Sequence, residues 1–212
     1  MDFNSFLTQI NKLQKMPLGG QESQFKMAPE LRKQFSLKDI KDKNPRESAV
    51  LALFYPDSNY STRVLMTERS NYKGVHSAQI SFPGGKKDKN DRGLIYTALR
   101  ETEEEVGVDK DNVTVIRELS KTYIPPSNFW VYPFVGYTDK TPYFIKNYEV
   151  ESIIEVLVSD LIDDNSLSTK NLTTSYMKNI DVPCFKLNGY IVWGATAMIL
   201  SEIKDLVKCI NS

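Results

Sequence analysis

"SFPGGKKDKNDRGLIYTALRETEEEVGV", residues 81–108, decides how the rest of the chain is read. Its last third crowds Glu101, Glu103, Glu104 and Glu105 into a few positions. Like charges three or four apart on a helix repel by roughly 0.2–0.5 kcal/mol per pair, so the crowding needs a reason. Leu94, Ile95, Ala98, Leu99 and Val106 recur as an apolar stripe, Asp91 stands where an N-cap belongs, and Gly107 where a terminating glycine belongs. The spacing predicts a helix over about 92–106. On that helix Glu101, Glu104 and Glu105 share one face, while Glu103 falls on another side, toward water. Arg100, four residues before Glu104, is placed to orient or partly neutralise it. Upstream, Gly84-Gly85 lets a backbone carbonyl approach a small ligand closely. A merely solvated acidic face is one reading of these acids. The other is a hard cation, Mg²⁺ or Mn²⁺, shared with substrate phosphate oxygens.

Outward from this helix, strand-like and helical segments alternate. "SAVLALFY" (48–55) and "TRVLMTE" (62–68) read as strands joined by the turn cluster "PDSNYS", which predicts a hairpin. "NVTVIREL" (112–119), "WVYPFVGYT" (130–138) and "SIIEVLV" (152–158) read as further strands. "VPCFKLNGYIVWG" (182–194) predicts a hairpin turning at Asn188-Gly189, and "ATAMILSEIKDLVKCI" (195–210) a helix burying Ala197, Leu200, Ile203 and Val207. Residues 2–15 form an amphipathic pattern through Phe3, Phe6, Leu7, Ile10 and Leu13. Residues 16–46 are polar and punctuated, which predicts an extended arm. Helices fore and aft of a mixed sheet argue an α/β or α+β sandwich.

The 27 Lys and Arg match the 27 Asp and Glu, so no bulk field favours nucleic acid or membrane, and an anionic ligand needs a local site. No run approaches the ~18 apolar residues of a membrane span. Cys184 and Cys209 make neither a metal spacing nor a disulfide framework. With no signal-peptide pattern, the cytoplasm is the expected location.

The segment Arg100-Glu101-Thr102-Glu103-Glu104-Glu105-Val106-Gly107-Val108 resembles the second half of the Nudix box, R-E-U-x-E-E-x-G-U, with Thr102 at the first apolar place. Counting back from Arg100, the box's usual Glu and Gly places hold Arg92 and Lys86; Asp91 and Gly85 stand one residue further upstream. That longer loop, with "LMTERS" (65–70) and "ISFPGG" (80–85), is similar to the coenzyme A pyrophosphatase branch of the Nudix hydrolases. Leu65, Thr67, Arg69, Ser70, Phe82, Pro83, Gly84 and Gly85 fit that branch's signature, whereas Gly74 replaces an Arg and Ala78 a Gly. The likeness spans roughly residues 47 to 205, taking in "YIPPSNFWVYPFVGY", "EVESIIEVLVSDLI" and "VWGATAMIL".

The resemblance implies a Nudix fold over 47–212, an α/β/α sandwich preceded by the helix and arm of 1–46. It also implies hydrolysis of a diphosphate bond in coenzyme A or its derivatives, with another nucleoside diphosphate derivative as the alternative substrate. A catalytically silent binding module is a third reading, which the intact acids oppose. Glu101 and Glu105, then Glu104, with the Gly85 carbonyl, are the implied metal ligands for Mg²⁺ or Mn²⁺. Glu104 and Glu149 are alternative general bases, Glu149 reading equally as a solvated loop acid, and Arg100 supports the catalytic acids. On the substrate side stand Arg69, Ser81, Phe82 and Gly84. Arg69 either meets a phosphate or pairs with the acidic helix or loop. His76, the one histidine, reads as structural, and Tyr123, Phe129 and Trp130 as core or pocket wall. The partner is a small molecule, with no nucleic acid and no membrane, and a homodimer is expected at the level of the family.

Overall fold

The structure is a computed structural model that describes residues 1–30, 32, 40–70, 79–173 and 178–211, with the side chain of 211 set apart. In chain order its helices are α1 (Phe3–Lys15), α2 (Gly20–Phe25), α3 (Leu94–Val106), α4 (Val158–Ile162) and α5 (Gly194–Asn211). Its strands are β1 (Arg46–Pro56), β2 (Thr62–Arg69), β3 (Ile80–Ser81), β4 (Gly84–Lys86), β5 (Thr114–Glu118) and β6 (Thr122–Ile124). They continue with β7 (Phe129–Tyr137), β8 (Val150–Leu157), β9 (Leu167–Leu172), β10 (Ile180–Leu187) and β11 (Tyr190–Trp193).

Strand β1 is the keel. It pairs parallel with β7 from Arg46↔Phe129 to Phe54↔Tyr137, and antiparallel with β2 and β4. β3 and β8 add to β2, and β5 and β6 to β7, giving an eight-stranded mixed sheet; β9, β10 and β11 form a separate antiparallel sheet. A strand covered on both faces reads as one apolar run, which is why "AVLALFY" shows no polar alternation. Its two faces sort the core. Ala49, Leu51, Leu53 and Tyr55 pack with Ala98 and Val106 of α3, whereas Ala52 and Phe54 pack with Phe3 and Phe6 of α1 and Leu200 and Ile203 of α5. Each large side chain so buried stabilises by about 1.5–3 kcal/mol. The result is the expected sandwich, with the acidic helix on the face of β1 opposite α1 and α5.

Three local expectations need correction. The acidic helix starts at Leu94, after Gly93, and Asp91 does not cap it. The Asp91 carboxylate is taken instead by Arg100 and Thr97, since a charged two-nitrogen donor outcompetes an amide cap. Ile95, assigned to the buried stripe, is 38% exposed. Residues 16–46 do not stand out as an arm where they are described. Ser23, Gln24, Met27, Ala28 and Ile40 are buried, and Glu202 of α5 accepts from the Gly20 N–H (3.0 Å) and Gln24 Nε2 (3.1 Å). The Asn188-Gly189 turn is as expected: φ is 51° and 82°, the double positive φ of a tight hairpin, between Leu187 and its partner Tyr190.

Candidate active site

Two arginines and a glycine pair organise the acids. Glu105, in the last turn of α3, is 3% exposed. Its Oε2 accepts the Gly84 N–H at 3.0 Å and its Oε1 faces Arg69 Nη1 at 3.4 Å. Arg69, at the end of β2, donates through Nη2 to Glu149 Oε2 at 3.2 Å, so β2, α3 and the segment before β8 meet at one guanidinium. Arg100 holds the other side. Its Nε and Nη2 grip the two oxygens of Asp91 (2.9 and 3.0 Å), while Nη2 also reaches Glu101 Oε1 (2.9 Å) and Nη1 reaches Glu104 Oε2 (3.0 Å).

Space requires the first glycine of the pair. Gly84 has φ +151°, and a Cβ there would lie 2.3 Å from the Ala49 carbonyl oxygen. At Gly85 a Cβ would lie 2.5 Å from Glu101 Oε2, so the β4 backbone passes directly against that carboxylate. Thr102, at the apolar place of the motif, is buried and returns its hydroxyl to the Ala98 carbonyl (2.7 Å), which lets a polar residue occupy it.

A family model described as NUDIX domain matches residues 45–167. The chain belongs to the Nudix hydrolase family. Hydrolysis of pyrophosphate-containing compounds is the activity of that family. Over 148 residues the chain is 32% identical to a Yersinia pestis protein named uncharacterized Nudix hydrolase NudL, covering 68% of this chain and 72% of that one. It is 29% identical over 173 residues to Nudix hydrolase 22, chloroplastic, of Arabidopsis thaliana, covering 77% of this chain but only 56% of the plant protein's length. Among solved structures, a Nudix hydrolase from M. Smegmatis, RenU, aligns with TM-score 0.53 at 14% identity over 78% of this chain and 88% of that one. A MutT/nudix family protein from Enterococcus faecalis aligns with TM-score 0.51 at 17% identity, covering 82% and 71%. These two share the fold.

Within this Nudix domain the electrostatics separate the acids. Burial pushes the Glu105 carboxyl up to about 7, against the Gly84 N–H and Arg69, with Glu101 and Glu149 adding like-charge repulsion. Burial likewise raises Glu101, opposed by Arg100 and reinforced by Glu104 and Glu149. Arg100 holds Asp91 far below the usual carboxylate range. Of the expected trio Glu101, Glu104 and Glu105, the first two meet at one Arg100 guanidinium, and Glu101 and Glu105 press on each other electrostatically. The Glu104 side chain is 53% exposed in its pair with Arg100, and among the described residues no three His, Cys, Asp or Glu form a ligating group. Glu101 and Glu105 nevertheless fit a hard divalent cation. They are all-oxygen donors, half-buried to buried, with mutual repulsion that a cation relieves, and the β4 backbone passes against Glu101. Glu103 is not simply solvated, since it pairs with Lys110 at 2.7 Å.

Beside the acids lies a cavity of about 270 Å³ lined by Arg69, Ser81, Phe82 and Gly84, the four expected substrate-side residues, and by Gly85. Phe82 is also a core residue at 2% exposure. Arg69 takes the ion-pair alternative, bridging Glu105 and Glu149. Of the three aromatics, Phe129 lines this cavity; Tyr123 is buried, its hydroxyl donating to Asn128 Oδ1 (2.9 Å), with Trp130 packed against it at 5.5 Å. Gly74, His76 and Ala78 lie outside the described residues. The far wall, Trp193 to Thr196, carried no sequence expectation of function; Thr196 ties it to β3 through the Ile80 carbonyl (2.9 Å). Its signal was the small-residue run "WGATA" opening a helix.

Proposed function

We propose that the chain hydrolyses the diphosphate bond of coenzyme A or its derivatives, giving 4′-phosphopantetheine, free or acylated, and adenosine 3′,5′-bisphosphate. The observation that carries this is the meeting of the two sequence signatures. Arg69 and Gly84 of the upstream signature both contact Glu105 of the acidic helix. Glu101 and Glu105, with the Gly85 backbone, would hold Mg²⁺ or Mn²⁺. Such an ion would neutralise phosphate charge and lower the pKa of a bound water. Arg100 pairs with both Glu101 and Glu104, and Arg69 ties Glu149 to the same locus. Glu149 is the base we favour: it acts electrostatically on both Glu101 and Glu105, whereas Glu104 bears on Glu101 and is half exposed in its pair with Arg100. A homodimer in the cytoplasm completes the reading.

A screen of coenzyme A, acyl-coenzyme A, ADP-ribose, NADH and deoxynucleoside triphosphates with each metal tests it. The coenzyme A compounds should give the highest kcat/KM. A clear preference for ADP-ribose, NADH or the nucleoside triphosphates would replace the substrate while keeping the hydrolase.

A further inference from the structure

A second recess, about 800 Å³, adjoins the cavity through their shared wall residue Lys86. Five of its wall residues, Lys41, Arg46, Lys86, Lys87 and Lys121, are cations, in a chain whose formal charges sum to zero. Glu47 is set against them and is already held by Lys87 Nζ (3.3 Å) and the Tyr132 hydroxyl (3.3 Å). Lys121 Nζ stands 4.6 Å from the Trp130 ring centre and 5.5 Å from that of Tyr132, a cation fixed between two aromatic faces.

Strand β4 divides this recess from the cavity. Gly84 and Gly85 face the acids, while Lys86 lines both spaces and stands opposite Ser48 on β1. Arg46 lies over the Phe129 ring at 4.1 Å, and Phe129 lines the cavity. The cavity itself is walled largely by apolar groups, Val50, Ile80, Phe82, Phe129 and Trp193 among them. A phosphomonoester carries about −1.5 to −2 charges near neutrality and seeks amines over apolar walls.

The geometry points to a fixed direction of substrate binding. The arm bearing a further phosphomonoester lies in the basic recess, the uncharged arm lies in the apolar cavity, and the scissile diphosphate lies across Gly84-Gly85 between them. For coenzyme A, the 3′-phosphorylated adenosine takes the side of Lys121 and Trp130. The inference rests on the diphosphatase reading of the acids.

Lys121 is the probe, since it is exposed and belongs to neither the acids nor the cavity. Steady-state rates on coenzyme A and dephospho-coenzyme A give the ratio of their kcat/KM values. Wild type should favour coenzyme A about tenfold through KM, Lys121→Ala should cut that ratio about fivefold, and Lys121→Arg should restore most of it. An unchanged ratio in Lys121→Ala, or no preference in wild type, overturns the inference. Calorimetric titration with adenosine 3′,5′-bisphosphate against adenosine 5′-monophosphate decides the recess separately. If coenzyme A is not cleaved but the bisphosphate binds more tightly and Lys121→Ala removes the difference, the recess stands and the substrate assignment falls. Tighter binding of a short single-stranded RNA, lost in Lys121→Ala, would make the recess a nucleic-acid surface instead.

Discussion

Glu105 and Glu202 are both buried carboxylates on helices that flank the same sheet, 3% and 0% exposed, and they are treated in opposite ways. Glu202 accepts four hydrogen bonds: from the Gly20 N–H (3.0 Å), Gln24 Nε2 (3.1 Å), the Ser120 N–H (3.2 Å) and Ser120 Oγ (2.7 Å). Glu105 has one good donor, the Gly84 N–H, and a long contact to Arg69, among the described residues. Satisfied donors make Glu202 a clip that fastens α2 and the β5–β6 loop to α5. Left short of donors and pressed by Glu101 and Glu149, Glu105 keeps room for a cation. Burial alone does not mark a functional acid; the deficit of partners does.

The largest effect belongs to Glu202→Ala, which takes the shared acceptor from four donors of Gly20, Gln24 and Ser120 and should cost on the order of 4 kcal/mol in urea unfolding. Its folded fraction should retain full turnover. Glu105→Gln should do the reverse, lowering metal-dependent turnover about 10²–10³-fold while thermal stability holds. A stability loss matching that of Glu202→Ala would erase the distinction.

Acidity gives a third test. A carboxyl raised from 4.5 to about 7 in the fold stabilises the protein below the unfolded value and loses that contribution as pH climbs through 7. In chelator, wild-type stability relative to Glu105→Gln should fall by about 3 kcal/mol between pH 4.5 and 7, and excess Mg²⁺ should blunt the fall. A flat difference curve would remove the strain assigned to Glu105. The smallest effect belongs to Gly85→Ala. The new Cβ meets the flexible end of Glu101, so stability should change by only about 1 kcal/mol while Mg²⁺ affinity falls about tenfold in a titration.

Much of this arrangement is written locally. The acidic helix, the β1–β2 hairpin and the Asn188-Gly189 turn follow from spacing and turn chemistry, and all three stand in the structure. What escaped was decided by distant partners. Asp91 has the look of a cap until Arg100, nine residues on, claims both its oxygens. The punctuated run after residue 16 lacks a periodic face, yet Gln24 and Ser23 are buried because α5 presents Glu202 and Ser201 to them. β3 and β4 are two and three residues long, too short for any alternation to show. The acids on one face were legible from a 3.6-residue period. The grip of Arg100 on Asp91 and Glu101 as well as Glu104 was not, because it depends on one guanidinium being shared among three carboxylates at once.

The parallel pairing of β1 with β7 joins residues some eighty positions apart, Arg46 to Phe129 at one end and Phe54 to Tyr137 at the other. Such a ladder cannot begin until a long loop has closed, and the whole acidic helix lies inside that loop. In refolding, helicity in α3 should therefore recover before the chain gains any capacity to bind a divalent ion. Ion uptake in such an experiment reports α3 and β4 seated on β1, so the site is complete only after its helix has formed and docked.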